Sequence, residues 1–273
     1  MTTHASRSFA PPGRARTVPP ALREFAYWLH RYRRTWRGTV VLNMANPLLF
    51  LTGIGAGLGT LVNQNSGAGL GGLSYLAFLT PGLLAASAMQ TAYIDSAHPV
   101  HQSTQPGGHY RAASATPLSP VDIYYGHLLF NLFKVALSAT AFTAVAAAFG
   151  AVDALRAPLV VAATLLVGAA FATPSAAWAV TAKRQPTVLA VLRFGVMPMF
   201  MFSGTFFPLS QLPGWLQPVV QATPLWHGVE LCRTAALGTG TAAGTAVHVA
   251  YLAVLAAVGL LLGRRTYRRH LHS

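Results

Sequence analysis

Stretches longer than about 18 residues without a charged side chain recur along this chain, and this constrains its fold more than any other feature. Residues 39–62, 74–94 and 157–182 are examples, and residues 194–229 run 36 positions without charge. Only 9% of the 273 residues are charged, against about 25% in soluble domains. So few charges cannot cover a water-soluble domain of this length. An integral membrane protein built from α-helices follows.

The net charge of +14 comes from 19 Lys+Arg against 5 Asp+Glu. Nucleic-acid binding would need these cations clustered on a folded surface. Here they lie at the chain ends and in short gaps between apolar stretches, the usage of a membrane protein. With the N-terminus inside, fifteen of the nineteen fall in the inside segments 1–38, 98–119, 182–186 and 264–273. Two fall outside, in 63–73, 150–156 and 208–243, while Lys134 and Arg193 lie within spans. The positive-inside rule then gives six spans with both termini cytoplasmic. The lone Cys232 excludes an internal disulfide. An Ala/Arg-rich chain with two Lys suggests a high-GC bacterium.

The organisation reads as four parts. Residues 1–19 are a Pro-rich basic tail without apolar periodicity, read as disordered. Residues 20–37 form an amphipathic interfacial helix, with Leu22, Phe25, Ala26, Leu29, Tyr32 and Trp36 on its apolar face and arginines elsewhere. Residues 38–265 are the six-span domain, and 266–273 a basic cytoplasmic tail. The spans are expected at 39–62, 74–97, 123–149, 157–182, 187–207 and 244–263. Glycines at 53, 55, 57 and 59 make overlapping small-xxx-small pairs in the first. Pro81 should bend the second. Pro208, Pro213, Pro218 and Pro224 forbid a continuous helix after the fifth. Residues 209–231 are therefore expected to form two short helices, a re-entrant outer hairpin rather than a seventh span.

Candidate chemistry is sparse. No Walker loop, HExxH or GxSxG pattern occurs. His98, His101 and His109 match no metal-ligand spacing, so neither metal nor cofactor is expected in this chain. Asp95 ends the second span, where a proton relay competes with an ordinary boundary carboxylate. Lys134, a turn or more into the third span, either snorkels or faces the bundle. Glu230 and Arg233 have i,i+3 spacing, for a plain helix ion pair or a gate contact. Phe200, Phe206 and Phe207 are lipid-facing, packing or pathway residues, and Trp215 is an aromatic interface anchor.

Three runs resemble type-2 ABC transporter permeases: FLTPGLLAASAMQTA (78–92), ATPLSPVDIYYGHLLFN (115–131) and FMFSGTFFPLSQLPGWLQPVVQATPLWHGVELCR (200–233). The sequence looks closest to permeases exporting nodulation lipo-oligosaccharides, drugs or antibiotics. The resemblance implies a permease subunit in the bacterial inner membrane, paired with a second permease, identical or different. Separate ABC ATPase subunits would hold the ATP. It implies a coupling helix at about 100–111, started by Pro99 and ended by Gly107-Gly108, with His101, Tyr110 and Arg111 in the coupling loop. It also implies an outer gate from the hairpin, with Phe200, Phe206, Phe207, Trp215, Glu230 and Arg233 as gate or pathway residues. One departure stands out: many relatives carry a charged stretch before TPLSP, whereas here Arg111 is the only charge. An ion-coupled secondary transporter, resting on Asp95 and Lys134, is the alternative; an integral membrane transferase is a third class.

Overall fold

A computed structural model describes residues 19–38, 49, 52, 53 and 73–271. The expected first span, with its glycine pairs, and the Pro-rich tail lie outside these apart from those isolated positions. Every regular element among the described residues is helical. In chain order these are α1 (Pro20–Tyr32), α2 (Tyr75–Thr104), α3 (His109–Ser114), α4 (Pro120–Ala148), α5 (Ala157–Ala179) and α6 (Gln185–Phe202). A 3₁₀ turn (Leu209–Gln211), α7 (Gln217–Gln221), α8 (Pro224–Leu237) and α9 (Ala242–Leu271) complete the chain.

The helix starts are written locally. Ser119 precedes Pro120, and its hydroxyl accepts the Asp122 amide at 3.2 Å while the Asp122 carboxylate accepts the Ser119 amide at 3.1 Å. This capping box is worth about 1 kcal/mol, and a proline in the first turn loses no bond that would otherwise form. Thr223-Pro224 repeats the device at α8, with the Thr223 hydroxyl 3.4 Å from the Trp226 amide. Gly238 ends α8 in the left-handed conformation, φ 69°, its amide donating to the Thr234 carbonyl.

Among the described residues four helices are long and apolar enough to cross a membrane: α4, α5, α6 and α9. The 30-residue α2 falls short in apolar character. Its buried side chains lie on nearly every face, so it needs less hydrocarbon surface than a lipid-facing helix. At the centre is α5, packed against α2, α4, α8 and α9. Its most apolar stretch is 56% buried, against 11% for α6, which therefore lies at the periphery. On α9, Gly259 is a contact point with α5: a Cβ there would run into the Thr173 hydroxyl and the Pro174 ring. His101 Nδ1 donates to the Ala182 carbonyl at 3.0 Å, so α2 and α5 end together and run parallel.

Several boundaries differ from the sequence expectation. The expected second span does not stop at residue 97, and Pro99 lies inside α2 rather than starting a new helix. A proline lacks one amide, and a helix already held by packing absorbs that loss. Gly107-Gly108 does not end a coupling helix either: Gly107 (φ 80°) turns the chain and Gly108 caps the start of α3. The coupling helix expected at 100–111 is thus the end of α2, a turn, and α3. The fifth span ends at Phe202, not 207, because Gly204 (φ 80°) takes the chain out of the helix. Within α6, Leu192–Val196 widen into a π turn. Pro198 follows, four residues after Phe194, whose carbonyl it cannot satisfy, and π turns commonly accommodate such a conflict. The segment at 209–231 is a 3₁₀ turn and two helices, the second running on to Leu237. The last helix continues through Leu271, so most of the basic segment 266–273 is helical.

The interfacial helix keeps part of its expected face, with Tyr32 buried and Phe25 and Leu29 half-buried, but is turned so that Glu24 and Trp28 also face inward. Glu24, Trp28 and Tyr32, at i, i+4 and i+8, are the buried positions. Leu22 and Trp36 are exposed. The helix packs on α4, where Gly126 leaves room for it: a Cβ there would overlap the Glu24 side chain and the Ala21 carbonyl.

Candidate functional site at the basic end

One end of the bundle gathers α1, the end of α2, α3, the start of α4, the α5–α6 link and the end of α9. Here Glu24, almost wholly buried, accepts hydrogen bonds from Trp28 Nε1 at 2.8 Å and from His109 Nε2 at 2.9 and 3.0 Å. His109 is stacked on Tyr27 at 3.7 Å between centroids. The next residue, Tyr110, is fully buried beside Tyr267 of α9, 5.8 Å away, and beside His127 of α4. Burial pushes the Tyr110 hydroxyl pKa well above its usual value, with Tyr267 and Glu24 adding to the rise. Tyr124 lies 4.8 Å from Tyr267 and shares its hydroxyl proton between the carbonyls of Thr173 at 3.1 Å and Gly259 at 3.0 Å. The short helix α3 is therefore pinned to α1 by one residue and to α4 and α9 by the next. Its other face, with Arg111, Ala112 and Ser114, is exposed. A push on that face reaches three helices through two adjacent side chains.

Of the expected coupling residues, Arg111 is exposed, Tyr110 is sealed inside, and His101 is buried against the α5–α6 link. Asp95 and Lys134 pair with each other, Nζ to Oδ2 at 2.6 Å, joining α2 to α4. Between α1, α2, α3 and α4 lies a cavity of about 580 Å³ whose wall includes this pair. Among the described residues no group of three or more His, Cys, Asp or Glu could hold a metal ion.

At the opposite end, Glu230 and Arg233 form the i,i+3 pair at 2.5 Å. Arg233 also donates to the Gly204 carbonyl at 3.0 Å and lies over the Phe78 ring at 4.1 Å, bracing α8 against α2 and the end of α6. Phe200 and Phe206 meet edge to face at 5.1 Å. Phe207 is half-buried and Trp215 is 74% exposed. The structure thus separates the expected residues into two groups, one at each end.

Glu24, His127 and Tyr267 are functional candidates that the sequence reading missed. The usable signal was Glu24: a lone acid on an arginine-rich helix, four residues before a tryptophan, marks an inward-facing position. All five acids are engaged, Asp122 in its capping box and Asp153 with the Leu155 amide.

The family model for ABC-2 type transporters matches residues 23–237. Nodulation protein J of Rhizobium meliloti strain 1021 is 29% identical over 251 residues, covering 89% of this chain and 94% of the relative. Nodulation protein J of Sinorhizobium fredii NGR234 is 30% identical over 253 residues, covering 90% and 94%. That of Bradyrhizobium diazoefficiens USDA 110 is 29% identical over 249 residues, covering 90% and 93%. The matched region takes in both groups of expected residues, though not Tyr267, and the chain belongs to the ABC-2 type transporter permeases, multi-pass membrane subunits of ABC exporters.

Proposed function

We propose that this chain moves an amphipathic or lipid-linked substrate out of the cytoplasm, using ATP hydrolysed on a separate ABC ATPase subunit. It works as one of two permease subunits, with both termini in the cytoplasm. The observation that carries the coupling is the arrangement at α3. Its outer face is small and exposed, while its inner face is locked to α1, α4 and α9 through His109 and Tyr110. An ATPase closing beneath α3 would move these helices together and shift the population between closed and open states. The exposed Arg111, Ala112 and Ser114 form the contact; Tyr110 and His101 transmit rather than touch.

The re-entrant reading of the segment after α6 is supported by its two anchors. The Phe206 carbonyl accepts from Tyr75 at the start of α2 at 3.1 Å. The other end, Gly238, lies against Arg156 just before α5. Since α2 and α5 run parallel, both anchors are at one end of the bundle. The relatives' name connects them with nodulation, and the substrate class proposed here rests on the resemblance of residues 78–92, 115–131 and 200–233 to permeases that export lipo-oligosaccharides or amphipathic drugs. Ion coupling loses force because Asp95 and Lys134, its two candidates, neutralise each other.

The test is reconstitution of the purified chain with its cognate ATPase in proteoliposomes. ATP-dependent transport of a fluorescent lipo-oligosaccharide is expected, lost when Arg111, Ala112 and Ser114 are all changed to Glu, with the thermal unfolding midpoint unchanged. Transport driven by a proton gradient without ATP would refute the reading.

A further inference from the structure

The cavity between α1, α2, α3 and α4 carries chemistry that the coupling mechanism leaves unused. Its volume of about 580 Å³ is within the range of about 300–1,000 Å³ usual for small-molecule sites. Its wall holds two cations and one anion: Arg31, Lys134 and Asp95. Lys134 and Asp95 touch through one atom each. An ammonium has three donors and a carboxylate two oxygens, so both keep unused capacity. Arg31 has no carboxylate partner among the described residues, because all five acids are engaged elsewhere.

Two polar atoms in this wall are unpartnered. The Tyr32 hydroxyl has no hydrogen-bond partner, and neither does His127 Nδ1. Since His127 Nε2 donates to the Asp95 carbonyl at 3.0 Å, its Nδ1 is left as an acceptor. Tyr32 supplies a donor and His127 an acceptor, matching the mixed character of the charges.

These features select among ligands. A simple anion would meet the Asp95 carboxylate, and a simple cation would meet Arg31. A sugar ring needs an open aromatic face, but Trp28 is enclosed by Phe130 and by the edges of His109 and His127. A group carrying both charges fits: phosphate toward Arg31 and Lys134, ammonium toward the Asp95 carboxylate. The cavity also lies beneath an amphipathic helix whose exposed Leu22 and Trp36 suit an interface.

The geometry points to a binding site for a phosphate ester that also carries an ammonium group, the headgroup chemistry of phosphatidylethanolamine. The site is independent of which substrate the exporter moves. It ties the position of α1, and through Glu24 and His109 that of α3, to an occupant of the cavity.

The experiment uses the purified full-length chain in detergent, with native mass spectrometry counting retained lipid and thermal unfolding as a second readout. Short-chain phosphatidylethanolamine should be retained at least tenfold better than phosphatidylglycerol of the same chain length. Arg31→Gln, a change at an exposed position, should cut that preference severalfold. Asp95→Asn with Lys134→Gln, which leaves no lone charge behind, should abolish it. Soluble O-phosphoethanolamine decides the source. If it displaces the lipid, the headgroup alone is read; if the lipid withstands a large excess, the site takes bilayer lipid. Equal retention of the two lipids, equal competition by inorganic phosphate, or an unchanged preference in folded variants would overturn the proposal.

Discussion

His109 Nε2 lies 2.9 and 3.0 Å from the two carboxylate oxygens of Glu24, joining α3 to α1 across 85 positions of sequence. The carboxylate is almost fully buried while the histidine keeps some contact with water. Losing the two partners should therefore cost unequal amounts. Glu24→Ala strands the Trp28 indole and is expected to cost roughly 2–3 kcal/mol, with His109→Ala costing less. A double-mutant cycle on unfolding midpoints should show coupling of about 1 kcal/mol or more. Additive effects would mean that the contact carries no energy.

Gly126 sets how closely α1 approaches α4. Gly126→Val places a branched side chain where the Glu24 side chain now lies, so α1 should detach from the bundle. Trp28 fluorescence should then shift to the red and become open to quenching by iodide, while the helix content of the remaining bundle stays the same. An unmoved Trp28 signal would contradict the packing.

Arg233 makes three different contacts, with Glu230, the Gly204 carbonyl and the Phe78 ring. A lysine cannot reproduce two directed bonds and a flat ring contact at once. Arg233→Lys should therefore lose most of what Arg233→Met loses, roughly 2 kcal/mol. Full rescue by lysine would reduce the site to a point charge.

His227 of α8 faces His248 of α9, Nδ1 to Nδ1 at 2.8 Å, which requires one ring to donate and the other to accept. Burial lowers the His227 pKa below its usual value, and His248 adds to the shift. The unfolded chain takes up its proton near pH 6.5, the folded chain only at lower pH. Between these the unfolded state binds more protons, so stability should fall as pH drops below about 6.5 and be flat above it. A hydrogen bond to the Gln221 backbone opposes the shift without overcoming it. His227→Phe should flatten the slope of the unfolding midpoint between pH 7 and pH 5. An equal slope in the variant would assign the pH dependence to other groups.

The proposed topology rests on the charge asymmetry. In a Cys232→Ala background, a cysteine at Gln105 should react with an impermeant maleimide only from the cytoplasmic side, and one at Trp215 only from outside. The opposite pattern at Trp215 would make the segment after α6 a crossing one.

Helices in this chain are legible wherever lipid or a cap dictates them. The stretches that became α5 and α9 were marked by uncharged length, and that of α4 by apolar length on both sides of Lys134, although the span expected from residue 123 starts three residues earlier, at the Ser119-Pro120 cap. The helix breaks around Pro99 and Gly108 were not legible. A proline in a packed helix and a proline at a helix start look alike locally, and only the tertiary support of α2 decides. The face of α1 was read only in part: Tyr32 is buried as expected, but apolar spacing favoured Leu22 and Ala26, whereas packing took Glu24 and Trp28. A buried acid contradicts the periodicity rule unless its partner is known, and that partner is 85 residues away. The same holds for Asp95 and Lys134, each of which looked ambiguous alone.

Because each of the five acidic side chains already has a partner in the fold, the arginines of the basic end pair with no carboxylate side chain among the described residues. Arg33, Arg34 and Arg37 after α1 and Arg264, Arg265, Arg268 and Arg269 on α9 must be neutralised by something other than this chain. In a bilayer that role falls to lipid phosphates, and in an assembled exporter to acidic residues of its neighbours. In detergent at low ionic strength neither is present, and a surface of one sign repels copies of itself while attracting any polyanion. Salt concentration, which screens such a surface within about 10 Å at 0.1 M, becomes a variable that governs what this protein associates with during purification.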